Sequence, residues 1–252
     1  MPDTATATQP SPDRYARLAG LLYLAIIVTS ILSLFLVEAR LVVDGDWATT
    51  TQRIAGNQTL FRAGLVYELV MFASVIALAW ALFVLLRGLD RNRALLGLLW
   101  RMAEAVVGAV TVLLGVLVVL LVGSQDARAA FEPGQLHALV QVLLTARAIG
   151  FDVAVFFLSL GTIVFCQLLY RSRYVPRMLA GLGIVAFVIM LVGTAVGLLL
   201  PQHRDLTMVA WAPGIVFEAA IGVWLLLKGI RTAPVTVAPT APAPAATTGT
   251  MR

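Results

Sequence analysis

The sequence predicts an all-α integral membrane protein, a six-transmembrane-helix bundle with signs of three in-out-in hairpins. Three observations predict it. Of the 252 residues 60% are hydrophobic and only 12% charged, with a mean hydropathy of +0.94, whereas ordinary soluble domains carry about 25% charged residues. The apolar residues fall into six runs near 18–37, 63–86, 95–123, 143–169, 178–200 and 209–228, each close to the roughly 20 residues that cross a hydrocarbon core. Arginines gather at the run ends, dense on one side and sparse on the other, which is the pattern that sets membrane topology.

Taken in order, residues 1–14 lack apolar periodicity and read as a disordered cytosolic arm. The run from Leu18 to Val37 exceeds the roughly 7 to 15 apolar residues of a cleavable signal peptide, so it is expected to be a retained span. Between Glu38 and Arg62 the loop has room for a short helix lying on the membrane, with Asp46 as N-cap and Trp47 at the interface. After the second and third runs, Pro133 suits the first turn of a new helix. Continued to Tyr170, that helix would be roughly 57 Å long, so its first turns must lie outside the hydrocarbon or it must bend near Gly150. Two further runs complete a transmembrane domain spanning 15–231. Residues 232–252 are a Pro/Ala/Thr-rich tail with too little apolar content to bury a core.

An even number of spans puts both termini on one side. That side collects Arg14, Arg17, Arg87, Arg91, Arg93, Arg171, Arg173, Arg177, Lys228 and Arg231, with Asp13 and Asp90 nearby. Opposite them, Arg40, Arg53, Arg62, Arg128 and Arg204 are diluted by Glu38, Asp44, Asp46, Asp126, Glu132 and Asp205. The positive-inside rule therefore predicts cytoplasmic termini in the cell membrane. This placement also accounts for the +5 net charge and pI near 10.0 without a nucleic-acid partner. A lone Cys166 excludes an internal disulfide, and His137 and His203 have no second histidine at ligand spacing, so no metal or cofactor is expected.

A weak repeat runs through the chain. "RLAGL" at 17, "RALLGL" at 93 and "RMLAGL" at 177 open spans, while "LLRG", "LLYR" and "LLKG" close them. These matches suggest three hairpins, although basic anchors and glycine-rich spans also produce them unaided.

Polar residues inside the spans define the candidate site. Arg101, Glu104, Gly108, Thr111 and Gly115 share one face of span three, and Gln141, Thr145, Ala148, Asp152, Ser159, Thr162 and Cys166 are spaced along span four. Gly183, Ala186, Met190, Gly193 and Gly197 do the same in span five, and Gly214, Glu218 and Gly222 in span six. Small residues at such positions normally serve close helix packing. Counted from the basic anchors at 1.5 Å per residue, Glu104 and Glu218 lie roughly 15 Å deep. Glu68 and Asp152 occupy an outer layer, and Arg62 and Arg147 can snorkel outward. Arg101 and Glu104 are one helical turn apart, so each offsets the cost of the other. The interior then holds four carboxylates (Glu68, Glu104, Asp152 and Glu218) against one deep base, and an unpaired one takes up a proton or recruits a cation.

The segments "LFRAGLVYELVMF", "RALLGLLWRMAEAV" and "LLYRSRYVPRMLAGL" resemble recurring segments of the bacterial membrane-protein family catalogued as domain of unknown function 4386. The resemblance covers most of 14–231 and implies a six-span prokaryotic membrane protein without an established activity, cofactor or catalytic residue.

Three functions compete. In a structural or regulatory membrane subunit the buried charges fix helix packing and register. A carrier or binding protein would use them for a proton, cation or small amine, and broken helices, hinted at by Pro213-Gly214, would favour it. An intramembrane enzyme would need Ser159 or Cys166 as nucleophile, yet neither has a base nearby in sequence and no HExxH or GxSxG occurs.

Overall fold

The computed structural model describes residues 12–43, 45–200, 202 and 204–231. The first eleven residues of the expected arm, the tail 232–252, Asp44 and His203 lie outside the described residues. Helix α1, Pro12–Ser33, continues through a π-helical turn, Leu34–Glu38, into the short α2, Ala39–Leu41. Next come α3 (Trp47–Gly56), α4 (Gln58–Leu86), α5 (Arg91–Gly123), α6 (Gln125–Ala130), α7 (Pro133–Ser172), α8 (Arg177–Leu199) and α9 (Arg204–Lys228). Among the described residues six stretches are long and apolar enough to span a bilayer: Pro12–Leu41, Gln58–Leu86, Arg91–Gly123, Pro133–Ser172, Arg177–Leu199 and Met208–Lys228. Each contains most of one apolar run, and most extend past it because anchors and caps continue the helix into the interface.

The spanning helices form a closed ring. Each packs on its neighbours in chain order, and α9 closes the circle against α1. Glycines set the close approaches. At Gly20 a β-carbon would strike the backbone of Leu226 and Gly222, so α1 and α9 meet backbone to backbone. Such contact suits a bilayer interior, where small residues let helices gain dispersion contact that lipid would otherwise supply. Phe165, Phe187, Phe217, Leu78 and Leu82 fill the interior, with the Phe187 and Phe217 rings edge to face at 5.8 Å. Asp13 accepts a hydrogen bond from the Ile230 N–H at 3.2 Å, which joins the start of α1 to the residues after α9 at one end of the bundle.

Three local expectations meet different outcomes. Helix α7 has 40 residues and opens with a capping box between Glu132 and Gln135 and with Pro133 in its first turn. Its length of about 60 Å is twice the hydrocarbon thickness, so its N-terminal part rises beyond the bilayer beside α3. Second, α9 runs through Pro213 without a break, so the broken helix hinted at by Pro213-Gly214 does not form; neighbouring helices let a spanning helix accommodate the missing N–H. Third, α3 docks on the far end of α5 and α7, burying Ile54, Thr50 and Thr51. Thr50 accepts from the Val43 N–H at 2.9 Å and so ties the preceding loop to this helix.

Asp46 caps α3, accepting from the Thr49 N–H at 2.9 Å. The Thr49 hydroxyl and N–H hold the Asp46 carboxyl below the usual carboxylate range. A depressed folded-state value means the cap is fully present above the ordinary value and is lost as pH falls through the depressed one. Protection factors across 47–56, which correct for the slower intrinsic exchange in acid, should therefore fall on acidification in the native protein and be low at every pH in Asp46→Ala. Equal, pH-insensitive protection in both would show that packing alone holds α3.

Candidate functional site: two buried charge layers

The layer nearer the chain ends is built on α5. Arg101 and Glu104 lie one turn apart on the face carrying Gly108, Thr111 and Gly115, and all five are buried. Arg101 is 2% exposed and Glu104 6%. Arg101 Nη1 lies 2.9 Å from Glu104 Oε2, a contact without the direction of a good hydrogen bond. The arginine stem rests on α7 at Gly161, where a β-carbon would stand 2.9 Å from Arg101 Cγ and 3.2 Å from the Gly97 carbonyl oxygen. Glycine at 161 is thus the seat of the arginine. From α9, the partly buried Glu218 lies within electrostatic reach of Arg101 and Glu104, as does Tyr23, and Cys166 lies within reach of Glu218 and Tyr23. Glu218 forms none of the close ion pairs of the described residues.

A second layer lies toward the far end and overturns one expectation. Arg147 does not snorkel to water. Its side chain is 14% exposed and forms ion pairs with Glu68 of α4 and, at 3.2 Å, with Glu38 at the end of the π turn. The Ser33 hydroxyl donates to the same Glu68 carboxylate at 3.4 Å. A π turn inserts one residue and rotates the chain beyond it by roughly 100° relative to an α-helix. Here Val37 seats in the notch at Gly64, where a β-carbon would come within 2.8 Å of it, and Glu38 reaches Arg147. Gly115 of α5 leaves room on the other side, 3.4 Å from Arg147 Nε when given a β-carbon. Two carboxylates outcompete the interface for this guanidinium because each is itself costly to leave unpaired in hydrocarbon.

The expected tally of one deep base for four carboxylates is accordingly corrected: Arg101 holds Glu104 and Arg147 holds Glu68. Asp152 is buried on α7, five residues beyond Arg147. The inward stripe expected for span four holds from Asp152 through Ser159, Thr162 and Cys166, all buried. Gln141 and Thr145 are instead exposed, because Val140, Leu144 and Arg147 turn toward the bundle in that stretch. Ser159 donates to the Val155 carbonyl at 2.9 Å within its own helix. Among the described residues no three His, Cys, Asp or Glu side chains come together as metal ligands.

Sequence reasoning missed Arg147, Glu38 and Gly161. An arginine fifteen residues inside the helix end at Glu132 was a signal, since that distance is too long for an easy snorkel if the helix is continuous. The π turn that delivers Glu38 leaves no readable mark in "LFLVE".

The fold and this charged interior define a multi-pass α-helical membrane protein. More particularly, the chain belongs to the family described as domain of unknown function (DUF4386), whose profile matches residues 18–229. No curated protein and no solved structure matches it.

Gly161→Val should push Arg101 off α7 and lower stability by about 1–3 kcal/mol, the usual cost of overpacking. Thermal melting in mild detergent measures this. Adding Arg101→Ala should remove most of the clash, so the pair should cost less than the two losses together; an unperturbed Gly161→Val would show that nothing is seated there.

Proposed function

We propose that this protein is a structural or regulatory subunit of the cell membrane, with both termini cytoplasmic, whose buried ion pairs fix the register and depth of its helices. One observation carries the reading: both deep arginines are held by carboxylates of the chain itself, one within α5 and one across the π turn, α4 and α7. Interior charges satisfied in this way specify packing, as buried polar groups do in helical assemblies. The basic end of the bundle, where Asp13 meets Ile230, supports the cytoplasmic placement through the positive-inside rule.

Glu218 favours a second reading, a proton or cation carrier. It is the midplane carboxylate without a close base, facing a charged cluster from a neighbouring helix. For enzymatic chemistry the support is weaker, because Ser159 is engaged by its own helix and Cys166 is buried.

Reconstitution in proteoliposomes with an interior pH dye separates the first two readings. The structural reading expects a proton leak equal to that of empty liposomes. A flux abolished by Glu218→Gln without loss of stability would replace it with the carrier reading. For orientation, single cysteines at the exposed Asn92 and Asn57, in a Cys166→Ser background, should react with an impermeant thiol reagent on intact cells only at Asn57. Labelling at Asn92 instead would invert the topology.

A further inference from the structure

At the end of the bundle where the start of α1 meets the residues after α9, Arg173, Arg177 and Arg231 line a single cavity of about 310 Å³ with Val175, Pro176 and Met178. The three arginines come from different segments: Arg173 caps α7, Arg177 opens α8 and Arg231 lies just past α9. None forms an ion pair with a described residue; the pairs at this end are Arg17–Asp13 and Arg93–Asp90. Three positive charges without a direct ion pair around one cavity repel one another, and an anion placed among them converts that repulsion into attraction.

Their placement is built rather than incidental. The Arg177 guanidinium lies 5.5 Å over the Tyr170 ring and that of Arg231 lies 5.4 Å over Trp224, so two of the three cations are held by aromatic faces. The Arg231 N–H donates to the Tyr174 carbonyl at 2.9 Å, pinning the segment after α9 to the α7–α8 loop. Arg173 has φ 58 and is the described non-glycine residue with left-handed backbone. A helix C-terminus favours glycine at such a position, and here arginine occupies it and brings its side chain to the cavity. Pro176, the N-cap of α8, supplies no side-chain bond to the first N–H groups of that helix, which adds partial positive charge at the same place.

The cavity also has an oily exit. Met178 is 87% exposed, and Leu182 and Val185 continue the exposed face along α8 away from the arginines. An anionic head held at the arginines would lay its chain along that face. We propose that this cavity binds the phosphate head group of an anionic phospholipid, with one acyl chain along the Met178–Leu182–Val185 face of α8. Basic pockets between spanning helices at the membrane surface recognise lipid head groups through this combination of charge and shape.

The full chain, purified in neutral detergent, would be titrated with dioleoyl-phosphatidylglycerol, dioleoyl-phosphatidylcholine or inorganic phosphate, with bound species counted by native mass spectrometry. Phosphatidylglycerol should bind and the other two should not. Arg177→Gln and Arg231→Gln should each weaken binding about fivefold, the effect of removing one interfacial cation. Arg173→Gly is the informative variant: it should weaken binding while raising the melting temperature, because glycine relieves the left-handed backbone, and an unfolded protein cannot give that combination. Arg91→Gln, at the neighbouring loop, should leave binding unchanged. Undiminished phosphatidylglycerol binding in the variant combining Arg173→Gly, Arg177→Gln and Arg231→Gln, an equal loss in Arg91→Gln, or inorganic phosphate binding as tightly as the lipid would each overturn the proposal.

Discussion

The ion cluster of Arg147 with Glu68 and Glu38 is the constraint on which the far half of the bundle depends. It joins α7, α4 and the π turn that follows α1 at one guanidinium. Removing an arginine from water to this depth is expensive, and removing two carboxylates equally so, so each group makes the others tolerable only where all three meet. That condition fixes more than a contact. It sets the height of α7 relative to α4, and it requires the π turn, without which Glu38 would point elsewhere. Gly64 and Gly115 are then necessities of space, one admitting Val37 and the other leaving room beside the guanidinium.

The layer at Arg101 works by a related rule with a different outcome. Its ion pair lies within one helix, so it does not by itself tie helices together; the tie is steric, through the arginine stem seated on Gly161 of α7. Closure of the ring between α1 and α9 depends in turn on the backbone contact at Gly20. Charge sets register on the α4–α7 side, and small residues set distance on the α9 side. The bundle therefore combines polar locks with close backbone contact, the two sources of specificity that remain when lipid competes for every apolar face.

Much of this was legible in the sequence. Hydrocarbon thickness converts directly into run length, so the six spans could be placed, and helical periodicity put Arg101, Glu104, Gly108, Thr111 and Gly115 on one buried face. The pairing of Arg101 with Glu104 comes from spacing on a single helix. Contacts between helices were not legible, because they depend on rotation and height that composition does not encode. Arg147 shows this: read alone it is a residue that can reach the interface, and only the π turn and the register of α4 convert it into a buried lock. Gln141 and Thr145 show the converse, since a periodicity extended too far along a 40-residue helix drifts off the packed face.

If Arg147 locks the far half of the bundle, it must be coupled to its carboxylates rather than merely near them. A double-mutant cycle of Arg147→Leu and Glu68→Gln, read by reversible unfolding in lipid bicelles, measures that coupling directly. A lock of this kind predicts a coupling of about 1–3 kcal/mol, with the double variant more stable than the sum of the single losses implies. Losses that add to within about 0.5 kcal/mol would contradict it and leave the fold to close packing alone.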